Sequence, residues 1–300
     1  MRSLVTGGAG FIGSHVVDAL LLLGHEVVVV DDESGQASDI FHWNDSCVNY
    51  RENVIDVEKM SSIFKNHNFD YVFHLAAKTK IVPAMENPPP TLWENYTGLL
   101  NILELSRKHS VKRVVFSSSS SVYGDQEIPY SENRKPDCLN PYALSKLHGE
   151  SLCEHYSSVF GLDTVCLRYF NVFGERMPER GQYAPVIAIF MRQLRNKEPL
   201  TIVGDGHQKR DFVYVKDVAK ANINAAFRPD KLGANVYNVG NGSMVSVMEI
   251  ANLISSEHVH LPERPGDARN TMADTSLVCK ALSWSPTIDA VTWVKEFLSK

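Results

Sequence analysis

The stretch VTGGAGFIG, residues 5–13, decides how the rest of the chain is interpreted. It follows the apolar run Leu4–Val5, typical of a strand end, and continues into FIGSHVVDALLLLG, whose apolar residues recur at helical spacing. The unit is therefore a strand, a glycine turn and a helix. Gly7 permits a tight turn, Gly10 lets a pyrophosphate approach bare backbone, and Gly13 allows close helix–strand packing. Such a phosphate would lie at the positive N-terminal end of the helix.

A second strand pattern favours a nucleotide site over a plain structural turn. After Gly24 the sequence HEVVVVDD brings Asp31 to a position about 20 residues beyond the glycines, where a carboxylate would meet the adenine ribose hydroxyls. Asp31 and Asp32 would repel a 2'-phosphate, and no Arg follows closely to reverse that. The sequence therefore favours NAD over NADP as the cofactor.

Strand-like and helix-like segments alternate through the first half of the chain. After the opening unit come a strand at 27–30, a helix at 57–66, the strand DYVFHLA at 70–76 and a strand at 111–116. This alternation is typical of a parallel sheet that is covered by helices on both faces. The sequence therefore predicts an α/β fold with a Rossmann-type, doubly wound parallel sheet.

The composition excludes several classes of protein. A chain of 300 residues that is 44% hydrophobic can bury a large core, as one large domain or as one domain with a smaller lobe. Its net charge of -5 argues against a nucleic-acid or anionic-membrane surface, since both reward a basic face. Its five cysteines are scattered without a C-x-x-C pair, which favours reduced thiols in a cytoplasmic protein and indicates no metal site.

The most apolar stretch, residues 17–30, is interrupted by Asp18, Gly24, His25 and Glu26. It therefore predicts a helix followed by a strand, and not a membrane span. The N-terminus does not carry a charged region, an apolar core and a cleavage site in that order, so we expect no signal peptide.

Three motifs together resemble the extended short-chain dehydrogenase/reductase family, and in particular its NAD-dependent epimerase/dehydratase members. The spacing G-x-x-G-x-x-G in TGGAGFIG is the first. The family's Tyr-x-x-x-Lys pair is found near the middle of the chain as Tyr142 and Lys146 in NPYALSK. The third is GDGHQKRDFVYVKDV, residues 204–218. The matching motifs extend from Thr6 to Asp274, so the resemblance covers nearly the whole chain.

A run of serines, Ser117–Ser121, ends the predicted strand VKRVVF on the side where a parallel sheet binds its ligands. Aligned through Val122–Gly124, the resemblance gives Ser119 the place of the family's catalytic Ser or Thr. Ser120 and Ser121 take the two positions where sugar 4,6-dehydratases of the family carry an Asp-Glu pair and decarboxylating relatives carry a Glu. This chain has neither carboxylate there.

Tyr142 and Lys146 are one helical turn apart, so both side chains project from the same helix face. A phenol has a reference pKa of about 10, which is too high for a base near pH 7. A nearby ammonium and a nicotinamide cation would favour the phenolate. The resemblance therefore implies that Ser119, Tyr142 and Lys146 are the catalytic residues.

The resemblance also implies which residues contact NAD. Asp56–Val57 matches the family's adenine-contacting pair, although Asp56 is explained equally well as the N-cap of a helix. Asn95 falls in N-x-T-G on a long helix and would support the active site through hydrogen bonds. The full expected set is Gly7, Gly10, Phe11, Ile12, Gly13, Asp31, Asp32, Asp56, Val57, Leu75, Ala76, Ala77, Asn95, Tyr142 and Lys146.

A nucleotide-sugar site is implied for the rest of the chain. The alternation weakens after residue 172, so we expect an NAD-binding domain over 1–172, to which the chain returns around 207–237, and a smaller, mainly substrate-binding lobe over 173–300.

The resemblance also implies which residues contact the substrate. Arg210 would hold a phosphate, for which a guanidinium fork is suited. In RPGDARNTMAD, Arg264 would be a second diphosphate contact and Asp267 would bind the uridine ribose. A charged surface loop rich in Gly and Pro would have a similar sequence. The full expected set is Lys78, Thr79, Ser119, Ser120, Asn171, Val203, Arg210, Arg264, Asp267 and Thr271.

The resemblance and the missing carboxylates predict a nucleotide-sugar 4-epimerase that acts on a UDP-hexose or a UDP-N-acetylhexosamine. Hydride would leave C4 for NAD while Tyr142 takes the hydroxyl proton, and after the 4-keto sugar turns over, hydride would return to its other face. Another nucleotide-sugar-modifying relative, a dehydratase or a reductase, is the first alternative. A non-catalytic NAD-binding sensor is the second; such relatives commonly lose the Tyr or the Lys, and this chain keeps both.

Two finer expectations follow from the resemblance. The family pairs as a homodimer through the helices that here contain Asn95 and Tyr142, and the residues Leu99, Leu103 and Leu152 are candidates for burial there, although core packing explains them equally well.

The second expectation concerns the sugar. Thr271, four residues after Asp267, stands where family epimerases border the C2 substituent, and a bulky aromatic there excludes an N-acetyl group. Its neighbours Asn270 and Met272 are also non-aromatic. The sequence therefore predicts that 2-acetamido sugars are accepted.

Overall fold

A seven-stranded parallel sheet lies at the centre of the structure, a computed structural model that describes residues 1–35, 40–179, 184–263 and 268–299. In chain order the elements are β1 (Arg2–Thr6), α1 (Phe11–Leu22), β2 (Glu26–Val30), β3 (Val48–Tyr50), α2 (Val57–Asn66), β4 (Tyr71–His74), α3 (Ile81–Glu86), α4 (Pro88–Lys108), β5 (Arg113–Ser119), a 3-10 helix (Ser120–Tyr123), α5 (Pro141–Phe160), β6 (Thr164–Tyr169), β7 (Asn171–Phe173), α6 (Val186–Asn196), β8 (Leu200–Val203), β9 (Lys209–Arg210), β10 (Phe212–Tyr214), α7 (Val215–Phe227), β11 (Val236–Val239), β12 (Val245–Ser246), α8 (Val247–Ile254), β13 (His258–Leu261), α9 (Ser276–Leu282) and α10 (Ala290–Leu298).

The strand order of the sheet is β11-β6-β5-β4-β1-β2-β3, and each neighbouring pair is parallel. The predicted α/β, Rossmann-type fold is therefore confirmed. Successive strands run outward from β1 in one direction and from β4 in the other. Ligands of such sheets bind beyond the carboxyl ends of the strands, at the point where the order reverses.

Alternate residues of the central strands belong to two separate cores, one on each face of the sheet. In β1, Leu4 packs into the core that α2, α4 and α5 complete, whereas Val5 packs into the core formed with α1 and α7. Val28 and Val29 of β2 divide in the same way. Side chains of a strand point to opposite faces, so a sheet that is covered on both faces needs near-continuous apolar runs such as VVVV.

The glycine turn between β1 and α1 has the close contacts expected from its sequence. Gly7 has φ +69°, a left-handed conformation that favours glycine. A Cβ on Gly13 would lie 2.1 Å from the carbonyl oxygen of Gly7, so any larger residue would push α1 away from the turn. The start of α1 is therefore held directly against the end of the first strand.

A third core lies on the other side of the cleft described below. It is built from α6, α8 and α10 with strands β7, β8 and β10, and the largest of its buried side chains are Phe173, Phe190 and Trp293. Two short parallel pairs, β7 with β10 and β8 with β13, support it.

After the first elements of this third core, the chain returns to the main sheet. The strand β11 pairs with β6, and α7 packs against α1. The chain returns again near its end, where α9 contacts β11 and Trp284 is buried in the same core as Val5. The division of function at residue 172 remains a prediction.

Of the two explanations for Leu99 and Leu103, core packing is the one that the structure supports, because both are fully buried within the chain in the core of α2, α4 and α5. Leu152 is partly buried against that core. None of the helices in the described ranges has the length and apolar character that crossing a membrane requires.

Candidate active site

A cleft of about 760 Å³ runs along the carboxyl edge of the sheet and reaches the third core. Its walls include the glycine turn, the ends of β2 and β5, the loop after β4, the first turns of α5 and the start of α6. Parallel strands bring these segments together because their carboxyl ends share one edge. The cleft therefore joins most of the residues that the sequence analysis singled out.

The half of the cleft beside β1 and β2 contains the predicted NAD contacts. The carboxylate of Asp31 accepts hydrogen bonds from the backbone N–H of Ala9 at 3.1 Å and of Glu33 at 2.9 Å, which fix it at the end of β2. Burial raises the pKa of Asp31, and these backbone donors oppose that rise. The predicted cofactor residues that line the cleft are Gly7, Gly10, Phe11, Ile12, Gly13, Asp31, Asp32, Leu75, Ala76, Ala77, Asn95, Tyr142 and Lys146.

The expectation for Asp56–Val57 is corrected. The Asp56 carboxylate accepts from the backbone N–H of Glu58 and Lys59, at 3.1 and 3.0 Å, and so caps α2. Val57 is largely exposed, and neither residue of the pair lines the cleft. The first amides of a helix have no partners within it, so an Asp at this position is used locally.

The pair Asn53–Val54 lines the cleft in place of Asp56–Val57. Asn53 donates from Nδ2 to Asp32 at 2.8 Å, which ties it to the acidic end of β2. The sequence pattern does not separate the two pairs, because an Asp at the start of a helix fits both the N-cap and the adenine-contacting position.

Ser119, Tyr142 and Lys146 are brought together where β5 meets α5. Lys146 is buried, and its Nζ donates to the Ser117 carbonyl at 2.7 Å and lies 5.9 Å from the centre of the Tyr142 ring. Burial lowers the pKa of Lys146 to about 8, against the opposing effect of the Glu150 carboxylate. Burial raises the pKa of Tyr142, and a hydrogen bond with the Ser119 side chain opposes that rise. The arrangement places a partly buried phenol beside a buried ammonium.

Asn95 links the loop after β4 to α5. Its Oδ1 accepts from the Lys78 N–H at 2.7 Å, and its Nδ2 donates to the Lys78 carbonyl at 3.0 Å and to Ser145 Oγ at 2.8 Å. Ser145 Oγ in turn donates to the Tyr142 carbonyl at 2.7 Å. The contacts of Asn95 therefore fix the backbone on both sides of the cleft.

The predicted substrate residues lie mostly at the far end of the cleft. Lys78, Thr79 and Val203 line it, and Lys78 Nζ lies 3.3 Å from the Glu94 carboxylate. Arg264 and Asp267 lie outside the described residues. An adjoining pocket of about 170 Å³ is lined by both Ser119 and Tyr142 and by the predicted contacts Ser120, Asn171, Arg210 and Thr271.

Thr271 is held inside this adjoining pocket by the second half of the chain. Its Oγ1 accepts from Asn171 Nδ2 and from the Asp211 N–H, both at 3.3 Å. Arg210 Nη1 donates to the Arg269 carbonyl at 2.8 Å, so the guanidinium is fixed beside the same segment. Within the described ranges, no group of three or more His, Cys, Asp or Glu side chains is arranged to hold a metal ion.

The sheet topology and this site together define a nucleotide-binding enzyme of the extended short-chain dehydrogenase/reductase class. The sequence profile of the NAD dependent epimerase/dehydratase family matches residues 3–240. The chain therefore belongs to the NAD-dependent epimerase/dehydratase family, and its cofactor is NAD.

Similar proteins agree with this assignment over nearly the full length. A UDP-glucuronate 4-epimerase of Thermodesulfobacterium geofontis is 33% identical, over 98% of this chain and 96% of that one. The structure of a UDP-glucose 4-epimerase from Thermotoga maritima, solved with UDP-glucose, is 35% identical with a TM-score of 0.92, covering 99% and 100% of the two chains. That of a UDP-N-acetylglucosamine 4-epimerase from Methanobrevibacter ruminantium, in complex with UDP-N-acetylmuramic acid, is 35% identical with a TM-score of 0.88, covering 99% and 98%.

The position of Lys146 generates a prediction about cofactor binding. We expect Lys146→Ala to lower NAD affinity by about 10-fold or more, because the substitution removes a buried ammonium that lines the cleft and can donate to the cofactor. Isothermal titration of the cofactor-free protein with NAD measures this. The control Lys108→Ala, at an exposed position of α4, should bind NAD like the wild type. Equal affinities for all three proteins would contradict a cofactor-binding role for Lys146.

Proposed function

We propose that the chain is an NAD-dependent nucleotide-sugar 4-epimerase. One observation carries the proposal: Ser119 and Tyr142, with Lys146 beside them, face a pocket whose described lining contains no carboxylate. Elimination of water from a sugar needs a further acid and base, whereas oxidation and re-reduction at one carbon needs only a proton acceptor and a hydride carrier.

The cofactor fits the described residues. The turn presents bare backbone to the cleft at Gly7, Gly10 and Gly13, where side chains would obstruct a pyrophosphate. The carboxylates of Asp31 and Asp32 border the cleft at the end of β2, where ribose hydroxyls can donate to them. When bound, NAD supplies a hydride acceptor that later returns the hydride.

The protein's own residues would handle the proton. Tyr142, as phenolate, takes the proton of the C4 hydroxyl as the carbon is oxidised, and it returns that proton when the 4-keto sugar is reduced on its other face. Ser119 hydrogen-bonds the reacting oxygen. The Lys146 ammonium stabilises the phenolate, and with a pKa of about 8 it remains mostly protonated at neutral pH.

We propose a UDP-sugar as the substrate. Arg210 and Asn171 line the adjoining pocket and are suited to a diphosphate, and the glycine turn occupies the opposite end of the cleft, which leaves this end for the second ligand. Similar proteins solved with UDP-glucose and with UDP-N-acetylmuramic acid support this class of substrate. Arg264 and Asp267 remain proposed contacts to the diphosphate and the uridine ribose.

The decisive test is an assay with UDP- and GDP-linked glucose, N-acetylglucosamine and glucuronate, with the products resolved by chromatography. We expect the C4 epimer of a UDP-sugar to form with no net change in nicotinamide absorbance. A stoichiometric absorbance change would indicate a reductase, and loss of water from the product would indicate a dehydratase. Binding of NAD without any product would favour a sensor.

The five cysteines are all free thiols, of which Cys153 and Cys166 are buried. Free thiols persist where the surroundings are reducing. We therefore propose a cytoplasmic location for the enzyme.

The first prediction from this mechanism concerns Tyr142. We expect Tyr142→Phe to fold and to retain NAD but to lose about 10²-fold or more in turnover, because the substitution removes the proton acceptor and leaves the cofactor pocket intact. Steady-state rates at saturating substrate measure the loss. Turnover near that of the wild type would remove Tyr142 from the mechanism.

We also propose a homodimer built on α4 and α5, which pack side by side within one chain. Trp93 and Tyr96 of α4 are 65% and 41% exposed, and Val159 and Phe160 of α5 are 59% and 49% exposed. Trp93, Tyr96 and Leu100 follow one another at i, i+3 and i+7, so they lie on one face of α4. Apolar surface arranged in this way is suited to a second copy of the same helix pair.

Light scattering tests the dimer. The wild type should have the mass of two chains at micromolar concentration, and Trp93→Glu should reduce that mass toward one chain by placing a charge in the apolar contact. Leu22→Glu is the matched control, since Leu22 is 88% exposed on α1, away from this face. A wild-type monomer, or equal masses for Trp93→Glu and the wild type, would contradict the proposal.

The remaining proposal is that 2-acetamido sugars are accepted. Thr271 borders the same pocket as Ser119 and Tyr142, and its side chain is short. A short side chain leaves room for an acetamide that a tyrosine would occupy.

We expect activity with UDP-N-acetylglucosamine to be at least comparable to that with UDP-glucose. Thr271→Tyr should lower kcat/KM for the acetamido substrate by about 10-fold or more relative to UDP-glucose, through steric overlap. Thr271→Ser, which keeps the hydroxyl and the room, is the control and should preserve the wild-type ratio. A wild type that turns over only UDP-glucose would refute the role given to Thr271.

A further inference from the structure

A buried carboxylate that the proposed mechanism does not use lies next to the catalytic group. Glu150 is on α5 one helical turn beyond Lys146, so the two side chains share one helix face. Its Oε1 accepts from Ser118 Oγ at 2.5 Å and from Arg168 Nε at 2.8 Å, and its Oε2 accepts from Arg168 Nη2 at 2.6 Å. All three side chains are buried. One carboxylate therefore joins α5 to both β5 and β6.

The strand end that Glu150 holds is the one that carries the reactive groups. Ser118 stands between Ser117, whose carbonyl accepts from Lys146 Nζ at 2.7 Å, and Ser119, whose side chain bonds Tyr142. A shift of Ser118 would move both neighbours, because they belong to one continuous strand. The distance between the strand end and α5 thus depends on the contact between Glu150 and Ser118.

We propose that Glu150 is a positioning residue for the epimerase reaction. It fixes the Ser117–Ser119 strand end against α5, and its negative charge stabilises the protonated form of Lys146. The inference rests on the proposed function, because the reaction that Glu150 would serve is the proposed epimerisation. The contacts of Glu150 do not depend on that proposal. Glu150 acts through Lys146 and Ser119 and has no contact with substrate in this role.

The groups that face Glu150 and Lys146 from the surrounding elements define the charge balance. From β6 the Arg168 guanidinium pairs with Glu150 and lies 4.7 Å from the Tyr123 ring centre. The pKa values of the neighbouring thiols Cys138 and Cys166 are raised, so both are neutral near pH 7, and the buried Cys153 lies on the same helix as Lys146. Two further groups belong to this set. Burial and the charge of Lys146 lower the pKa of the His74 imidazole to about 3. Burial raises the pKa of the partly buried Glu132 carboxyl. Among the charges of this set, Glu150 is the first cause that raises the pKa of Lys146, ahead of Cys153.

A second buried ion pair offers a matched control. Arg113 begins β5 and pairs with Asp163, which directly precedes β6, and both are nearly as buried as Arg168 and Glu150. This pair therefore joins the same two strands at their opposite ends. Loss of its carboxylate should destabilise the fold without reaching Lys146.

The test uses the NAD-loaded protein with lysine labelled at Cε with carbon-13. The chemical shift of the Lys146 signal, assigned by its loss in Lys146→Arg, is followed against pH. In Glu150→Gln the pKa of Lys146 should fall by about one unit, the size expected for a nearby charge in a buried site. In Asp163→Asn it should stay at the wild-type value. The alkaline limb of the activity profile should move to lower pH by the same amount in Glu150→Gln alone.

Glu150→Gln leaves Arg168 buried without its carboxylate, which is destabilising. The double variant Glu150→Gln/Arg168→Met removes both charges, and if the single variant does not fold it should still show a fall in the pKa of Lys146, smaller because a buried positive charge is lost together with the negative one. An unchanged pKa of Lys146 in whichever variant is folded overturns the inference. Because the chemical-shift titration needs no sugar substrate, its result stands even if the wild type proves not to be an epimerase.

Discussion

The burial of Lys146 is the constraint on which the rest of the site depends. An ammonium inside a protein is stable only if other groups replace the water that it loses. Here the Ser117 carbonyl accepts a hydrogen bond from Lys146 Nζ at 2.7 Å, the Phe116 ring centre lies 5.0 Å from Nζ, and Glu150 supplies the opposing charge. Each of these groups belongs to β5 or α5, so the electrostatics of the site fixes how this helix packs on this strand.

The sheet meets that demand through its topology. Parallel strands end at one edge, which places the glycine turn, the acidic end of β2 and the serines of β5 around one cleft. Gly13 lets α1 begin in contact with the turn, and Gly149 lets α5 approach β5, where an added Cβ would lie 2.3 Å from the Phe116 ring. Close packing therefore brings the backbone of the glycine turn and the buried Lys146 to the same cleft.

The fold could be predicted from the sequence because its signals are local. A glycine turn between a strand and a helix, followed by alternating apolar segments, is enough to indicate the parallel sheet. Asp56 shows the limit of such reasoning, because the same side chain suits a helix N-cap and an adenine contact, and only the observed start of α2 identifies it as the cap. Leu99 and Leu103 show a second limit, since apolar spacing on a helix does not tell a core from an interface. Glu150 could have been suspected from its spacing to Lys146, but its partners lie on β5 and β6, which no local pattern reveals.

Buried polar contacts extend from the Glu150–Arg168 ion pair to the segment that borders the adjoining pocket. Beyond Arg168 and the ring of Tyr123, the Tyr123 hydroxyl donates to Asn238 Oδ1 at 2.7 Å. Asn238 Nδ2 donates to the carbonyls of Tyr130 and Asp274, at 2.9 and 3.3 Å. The Tyr130 N–H donates to the Met272 carbonyl at 2.8 Å, next to Thr271. Networks of this kind are strong when every member is satisfied, and their members do not contribute independently. The residues proposed for catalysis and the residue proposed to set the sugar specificity are therefore held by one continuous network, so substitutions at the two ends are expected to be non-additive.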